Sequence, residues 1–90
     1  MARLLVVDDE EKIRRQIATA LGRGGHSVDQ AEDVEQALVM AEACMYDLVI
    51  TDVCLPGRSG VELVREVRRL QPLAQVVVIT AFGSVADAVE

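Results

Sequence analysis

Apolar positions along the chain change period from segment to segment, and each change marks a new element. Leu4 to Val7 is an unbroken apolar run, as expected for a parallel strand covered on both faces. Ile13, Ile17 and Leu21 then recur every fourth residue, which predicts a helix that Gly22, Gly24 and Gly25 stop. His26 to Gln30 reads as a weak strand, and Asp33 with Gln36 resembles a capping box opening a helix with Val34, Ala37, Leu38 and Ala41 inside. Leu48 to Thr51 is a third strand, running directly into Asp52. After a Pro56-Gly57 turn, Ser59 can cap a helix that buries Val61, Leu63, Val64, Val67 and Leu70 and leaves Arg65, Arg68 and Arg69 in water, until Pro72 ends it. Gln75 to Thr80 is a fourth, strongly apolar strand, and Ser84 looks like the cap of one more helix. Strand and helix alternate throughout, so right-handed crossovers predict an open parallel sheet with helices on both faces.

Ninety residues leave room for a single small domain, or part of one. Half the chain is apolar, yet Tyr46 and Phe82 are its only aromatics, so the core must be built from Val, Leu, Ile and Ala. Nine basic against fifteen acidic groups give a formal charge of -6, which repels phosphate backbones and argues against nucleic-acid contact by this segment. Cys44 and Cys54 lack metal-site or CxxC spacing and read as reduced, small apolar fillers, and the lone His26 reads as a surface residue. The early acids exclude a secretory leader and no run is long enough to span a bilayer, so the expectation is a soluble, cytoplasmic chain.

In a parallel sheet the carboxyl ends of the strands share one edge, and ligands bind there. The first strand ends on Asp8 and Asp9, the third on Asp52 and the fourth on Thr80. Taken singly, Asp8 or Asp9 fits a helix N-cap, Asp52 a turn, and Thr80 a strand end. Together they predict three carboxylates and a hydroxyl in one crevice. Converging carboxylates repel unless a cation or a proton relieves them, and hard oxygen ligands that leave room for water suit Mg²⁺ beside a phosphate. A carboxylate can also act as nucleophile and form an acyl phosphate.

The stretches LLVVDDEEKIR, LVITDVCLPGRSGVELV and VVVITAFG, in this order and at these separations, resemble the receiver domain of two-component response regulators over the whole chain. The ITAFG wording looks most like receivers of the nitrogen-regulation group, which usually precede an ATPase module and a DNA-binding module. The resemblance implies a flavodoxin-like doubly wound α/β fold with strand order 2-1-3-4 and a single receiver domain over residues 1–90. It implies that Asp52 accepts a phosphoryl group from a histidine kinase. Asp9 would be a direct Mg²⁺ ligand, Asp8 the acid that holds the metal largely through water, and Cys54 the position whose backbone carbonyl completes the metal site. Thr80 would be the switch hydroxyl and Ala81 the small residue that leaves the phosphoryl group room. Such a domain is a phosphoacceptor rather than an enzyme, and it acts by changing the Thr80 and fourth-helix surface toward an output module or a dimer partner.

The family also has a fifth strand, a fifth helix and a lysine at the end of that strand, all of which would lie beyond Glu90, and the only lysine present is Lys12. The fourth strand is therefore expected to be an apolar edge, and the surface around Ile13, Ile17 and Leu21 to lack a partner. That points either to a stretch of a longer regulator or to pairing of two copies through the fourth strand or the fourth-helix surface. Two other readings compete. A Mg²⁺-dependent phosphohydrolase would want an acid two residues after the nucleophile, where Cys54 stands. A receiver-like interaction module that is never phosphorylated is consistent with the missing lysine, though not with the intact acids.

Overall fold

The computed structural model describes residues 2–55, 57–79 and 85–87. Four strands and three helices alternate: β1 (Arg3–Val7), α1 (Glu11–Arg23), β2 (Ser27–Ala31), α2 (Val34–Ala43), β3 (Leu48–Asp52), α3 (Gly60–Leu70) and β4 (Gln75–Ile79), followed by a short β5 (Val85–Asp87). The sheet order is β2-β1-β3-β4-β5. The first four strands are mutually parallel, in the 2-1-3-4 order anticipated above.

Local signals set the helix ends. Gly25 takes a φ of +87° just after α1, a conformation that costs a glycine little and other residues more. At α3 the capping box is complete, because the Ser59 hydroxyl accepts from the Glu62 N–H and the Glu62 carboxylate accepts from the Ser59 N–H. At α2 the box is offset: Asp33 accepts from the Gln36 N–H, but the Gln36 side chain accepts from Glu32 rather than from the cap residue itself.

Alternation along the strands divides the core in two. Leu5, Val7, Val49, Val76 and Val78 join Val34, Ala37, Tyr46, Leu63, Val64 and Val67 in one continuous buried cluster under α2 and α3. Leu4 and Val6 face the other way, together with Leu48, Ile50, Val77 and Ile79, which the parallel register aligns with them. Right-handed crossovers put α1 on this second face. Cover there is incomplete: Ala18 is the one buried residue of α1, Ile17, Leu21, Ile50, Val77 and Ile79 are half-buried, and Ile13 is 40% exposed.

Four expectations change. The helix expected from Ser84 onward is replaced, at residues 85–87, by a strand antiparallel to β4 that pairs Val77 with Asp87, Val78 with Ala86 and Ile79 with Val85. An edge strand offers a row of unpaired N–H and C=O groups, and the segment that follows satisfies some of them. For the same reason β4 is not a bare edge along Val77–Ile79. Val61, placed by helical spacing inside α3, is 47% exposed, because Gly60 rather than Val61 faces the sheet in the first turn. Cys54 is exposed and fills no core space, whereas Cys44 packs against the buried cluster.

Candidate metal and acceptor site

The parallel register brings the carboxyl ends of β1 and β3 side by side, with Val7 opposite Thr51. The residues that follow these two positions are Asp8 and Asp52, so the sheet itself sets the acids next to each other. Asp8, Asp9 and Asp52 each offer a carboxylate oxygen, and the three oxygens lie within 4.8 Å of one another.

Each acid is held differently. The Asp8 backbone N–H donates to the Ala31 carbonyl at 3.1 Å, extending the β1–β2 pairing by one residue. Its side chain is buried, and Oδ1 accepts from the Glu10 N–H at 2.9 Å. The helix-cap reading of Asp8 and Asp9 is thereby replaced, since Glu10 is the residue at the head of α1 and makes no side-chain cap bond. Asp9 is exposed. Asp52 is half-buried, and its Oδ1 accepts from the Cys54 N–H at 3.1 Å, a turn that aims the carboxylate along the strand end.

The electrostatics are unrelieved. Burial pushes the Asp8 carboxyl above its usual range; the Glu10 N–H opposes this, while the charges of Asp52, Asp9 and Glu10 push it further up. Hard oxygen donors, one buried and one exposed, crowded at the edge of a sheet, make a donor set that fits a small divalent cation with water in its remaining positions. A hollow of about 430 Å³ beside the β3–α3 connection is walled by Val53, Leu55, Arg58 and Glu62.

Of the other residues anticipated from the sequence, Thr80 and Ala81 lie outside the described residues. Cys54 contributes its N–H to Asp52. Two contributors were not singled out in advance. Gly60 packs so closely on the end of β3 that a Cβ there would overlap the Asp52 carbonyl and stand 3.0 Å from the Val53 Cα. Its N–H also donates to the Val53 carbonyl at 2.9 Å. The signal was a glycine directly after the Ser59 cap, at a position where a helix gains nothing from glycine. The second is Arg14, whose guanidinium reaches back to the end of β1.

The family model described as the response regulator receiver domain matches residues 4–90. The chain is 41% identical over 88 residues to the two-component response regulator PhoP of Pseudomonas aeruginosa, covering 98% of this chain and 39% of that protein. It therefore spans about two fifths of the length of that curated relative. Among solved structures, a response regulator from Burkholderia pseudomallei with a phosphorylated aspartic acid, a calcium ion and citrate superposes with a TM-score of 0.87 at 33% identity, over 93% of this chain and 49% of that one. The response regulator TrrA of Thermotoga maritima, in complex with Mg²⁺-BeF, gives a TM-score of 0.84 at 42% identity over 90% of this chain and 70% of that one. TrrA in complex with the histidine kinase ThkA gives 0.84 at 40% identity over 93% and 72%.

Proposed function

This chain belongs to the response regulator receiver domain family, and on that premise we propose that Asp52 accepts a phosphoryl group from a histidine kinase, with Mg²⁺ as the cofactor. The observation that carries the reading is the convergence of Asp8, Asp9 and Asp52 within 4.8 Å at the ends of adjacent parallel strands. Three like charges so placed destabilise the fold unless they serve a cation.

In this reading the Asp52 carboxylate attacks phosphorus in line. The new bond runs from a carboxylate oxygen to phosphorus, and the bond that breaks joins phosphorus to the donor's leaving atom, which departs with the electron pair. The bond from the Cys54 N–H to Asp52 Oδ1 orients the nucleophile before the donor arrives. Asp9 would supply an accessible ligand oxygen, Asp8, fixed by the Glu10 N–H, would be the second acid of the set, and the Cys54 carbonyl would complete it. When bound, the divalent ion supplies positioning and charge neutralisation for the anionic carboxylates and phosphoryl group. Thr80 then donates to a phosphoryl oxygen, with Ala81 leaving space beside it, and the segment after it shifts.

The domain is a signalling acceptor rather than a turnover enzyme. Its setting is the cytoplasm, its kinase partner docks at this edge, and it contacts neither nucleic acid nor membrane directly. The output module lies outside residues 1–90, and the surface change acts on that module or on pairing of two copies. Among the described residues no helix is long and apolar enough to cross a membrane. Similarity of the ITAFG segment to the nitrogen-regulation group supports an ATPase and DNA-binding output.

Intact mass after incubation with Mg²⁺ and acetyl phosphate tests the reading. A single phosphoryl adduct, absent in Asp52→Asn and in excess chelator, is the expected result. A folded chain that gains no adduct, or gains it equally in Asp52→Asn, overturns it. Thr80→Ala should keep the adduct and lose the accompanying surface change, read as amide chemical-shift changes.

A further inference from the structure

Part of what holds the acids in place lies away from them, on α1. Arg14 sits in the first turn of that helix, its own N–H donating to the Glu10 carbonyl at 3.0 Å. Its side chain turns back over the end of β1, where Nη1 donates to the Asp8 carbonyl oxygen at 3.0 Å and Nε donates to the Gln30 side chain on β2 at 3.1 Å. One planar guanidinium thus ties the Asp8 carbonyl, one residue past β1, to the neighbouring strand, a geometry the rigid Arg fork supplies and an ammonium does not.

The carbonyl it grips is the hinge of the site. A peptide unit is planar, so anchoring the Asp8 oxygen fixes the plane whose other end is the Asp9 nitrogen. The remaining contacts of Asp8, from its N–H to Ala31 and from its Oδ1 to the Glu10 N–H, set the residue itself but leave that plane free to turn. We infer that Arg14 is a positioning residue for the acid cluster, pinning the Asp8–Asp9 peptide so that both carboxylates meet Asp52. The inference rests on the reading of the acids as a cation site and deepens it.

Charge and position make opposite predictions here. A cation one helical turn from a divalent-ion site repels the incoming ion, so if Arg14 acted through its charge, removing it would tighten binding. If it acts through the Asp8 carbonyl, removal loosens binding despite the lost repulsion.

The test is calorimetric titration of Mg²⁺ into the wild-type chain and the variants Arg14→Ala, Arg14→Lys and Gln30→Ala, at a temperature where circular dichroism shows each to be folded. Arg14→Ala should weaken Mg²⁺ about 10-fold, the size typical of outer-shell ligand supports. Arg14→Lys, which keeps the charge but cannot span both partners, should also weaken it, and Gln30→Ala, which changes no charge, should do so by less. Equal or tighter binding by Arg14→Ala overturns the inference while leaving the cation site standing. Wild type that binds no Mg²⁺ overturns the site and the inference with it. Should Arg14→Ala fail to fold, the other two decide: weakened binding in both supports the role, and unchanged binding in both removes it.

Discussion

The two edges of the sheet treat their polar groups in opposite ways. At the edge where the strands begin, the polar groups are paired. The Arg3 N–H donates to Asp47 at 2.8 Å, its guanidinium meets Asp29 at 3.2 Å and stands 5.8 Å from the centre of the Tyr46 ring, and the Tyr46 hydroxyl donates to the same Asp29 at 2.7 Å. Gln71, buried at the end of α3, accepts from the Tyr46 N–H at 2.7 Å and donates to the Ala41 and Cys44 carbonyls at 2.7 and 2.6 Å. At the edge where the strands end, three carboxylates crowd together and Asp8 is held up in pKa by burial and by its neighbours. One edge uses polarity to fasten the chain, whereas the other keeps it unspent for a ligand. Stability and function are separated by the length of a five-residue strand.

Removing a polar side chain at one edge or the other should therefore move stability in opposite directions. The largest effect is expected at Gln71→Leu, which strands one buried N–H and two carbonyls; at about 1–3 kcal/mol for each unsatisfied group, a loss of at least about 3 kcal/mol should appear in the urea midpoint. Gly60→Ala comes next. Its methyl would collide with the Asp52 backbone, so overpacking should cost about 2 kcal/mol and, unlike Gln71→Leu, should also weaken Mg²⁺ binding measured on the folded chain. Asp8→Asn should act the other way, raising stability of the metal-free chain by about 1 kcal/mol, as relief at functional sites commonly does, while abolishing the Mg²⁺-dependent rise in melting temperature expected of wild type.

The smallest effect near neutral pH concerns Tyr46. Burial, with help from the Asp29 bond, pushes its phenol well above the usual value of about 10. Below that value folded and unfolded chains both hold the proton, so Tyr46 adds no pH dependence. Above it the unfolded chain releases the proton first, the native state binds more protons, and stability falls as pH rises toward the native value. Ultraviolet titration of this single tyrosine should show ionisation only on alkaline unfolding. A phenolate appearing near pH 10 in the folded chain would show the ring to be neither buried nor bonded to Asp29 in solution.

The legible part of the molecule was the part governed by periodicity. Apolar runs such as Leu4–Val7 and Gln75–Ile79 read as strands of a parallel sheet, and the acids at the ends of β1 and β3 fall on one edge because parallel strands share a direction. The Ser59 cap was readable for the same reason, since the hydroxyl and the Glu62 N–H it accepts from are three residues apart. What escaped depends on contacts between distant segments. The pattern assigned Val61 to the core, but the approach of α3 to Asp52 admits only the hydrogen of Gly60. Gln71 and Arg14 were not singled out because nothing local states that their partners lie 25 residues back and on β2. Residues 85–87 carry a helix-like sequence, and the bonding offered by the edge of β4 outweighs that propensity.

The half-covered face beneath α1 has a calorimetric consequence. A 90-residue chain of ordinary packing should raise its heat capacity by about 1.1 to 1.4 kcal/mol/K on unfolding, mostly from hydration of newly wetted apolar surface. Here Ile50, Val77, Ile79 and Ile13 are already partly wet in the native state. The increment should fall below that range, flattening the stability curve, so that this domain loses less of its stability on cooling than a fully covered sheet of the same length.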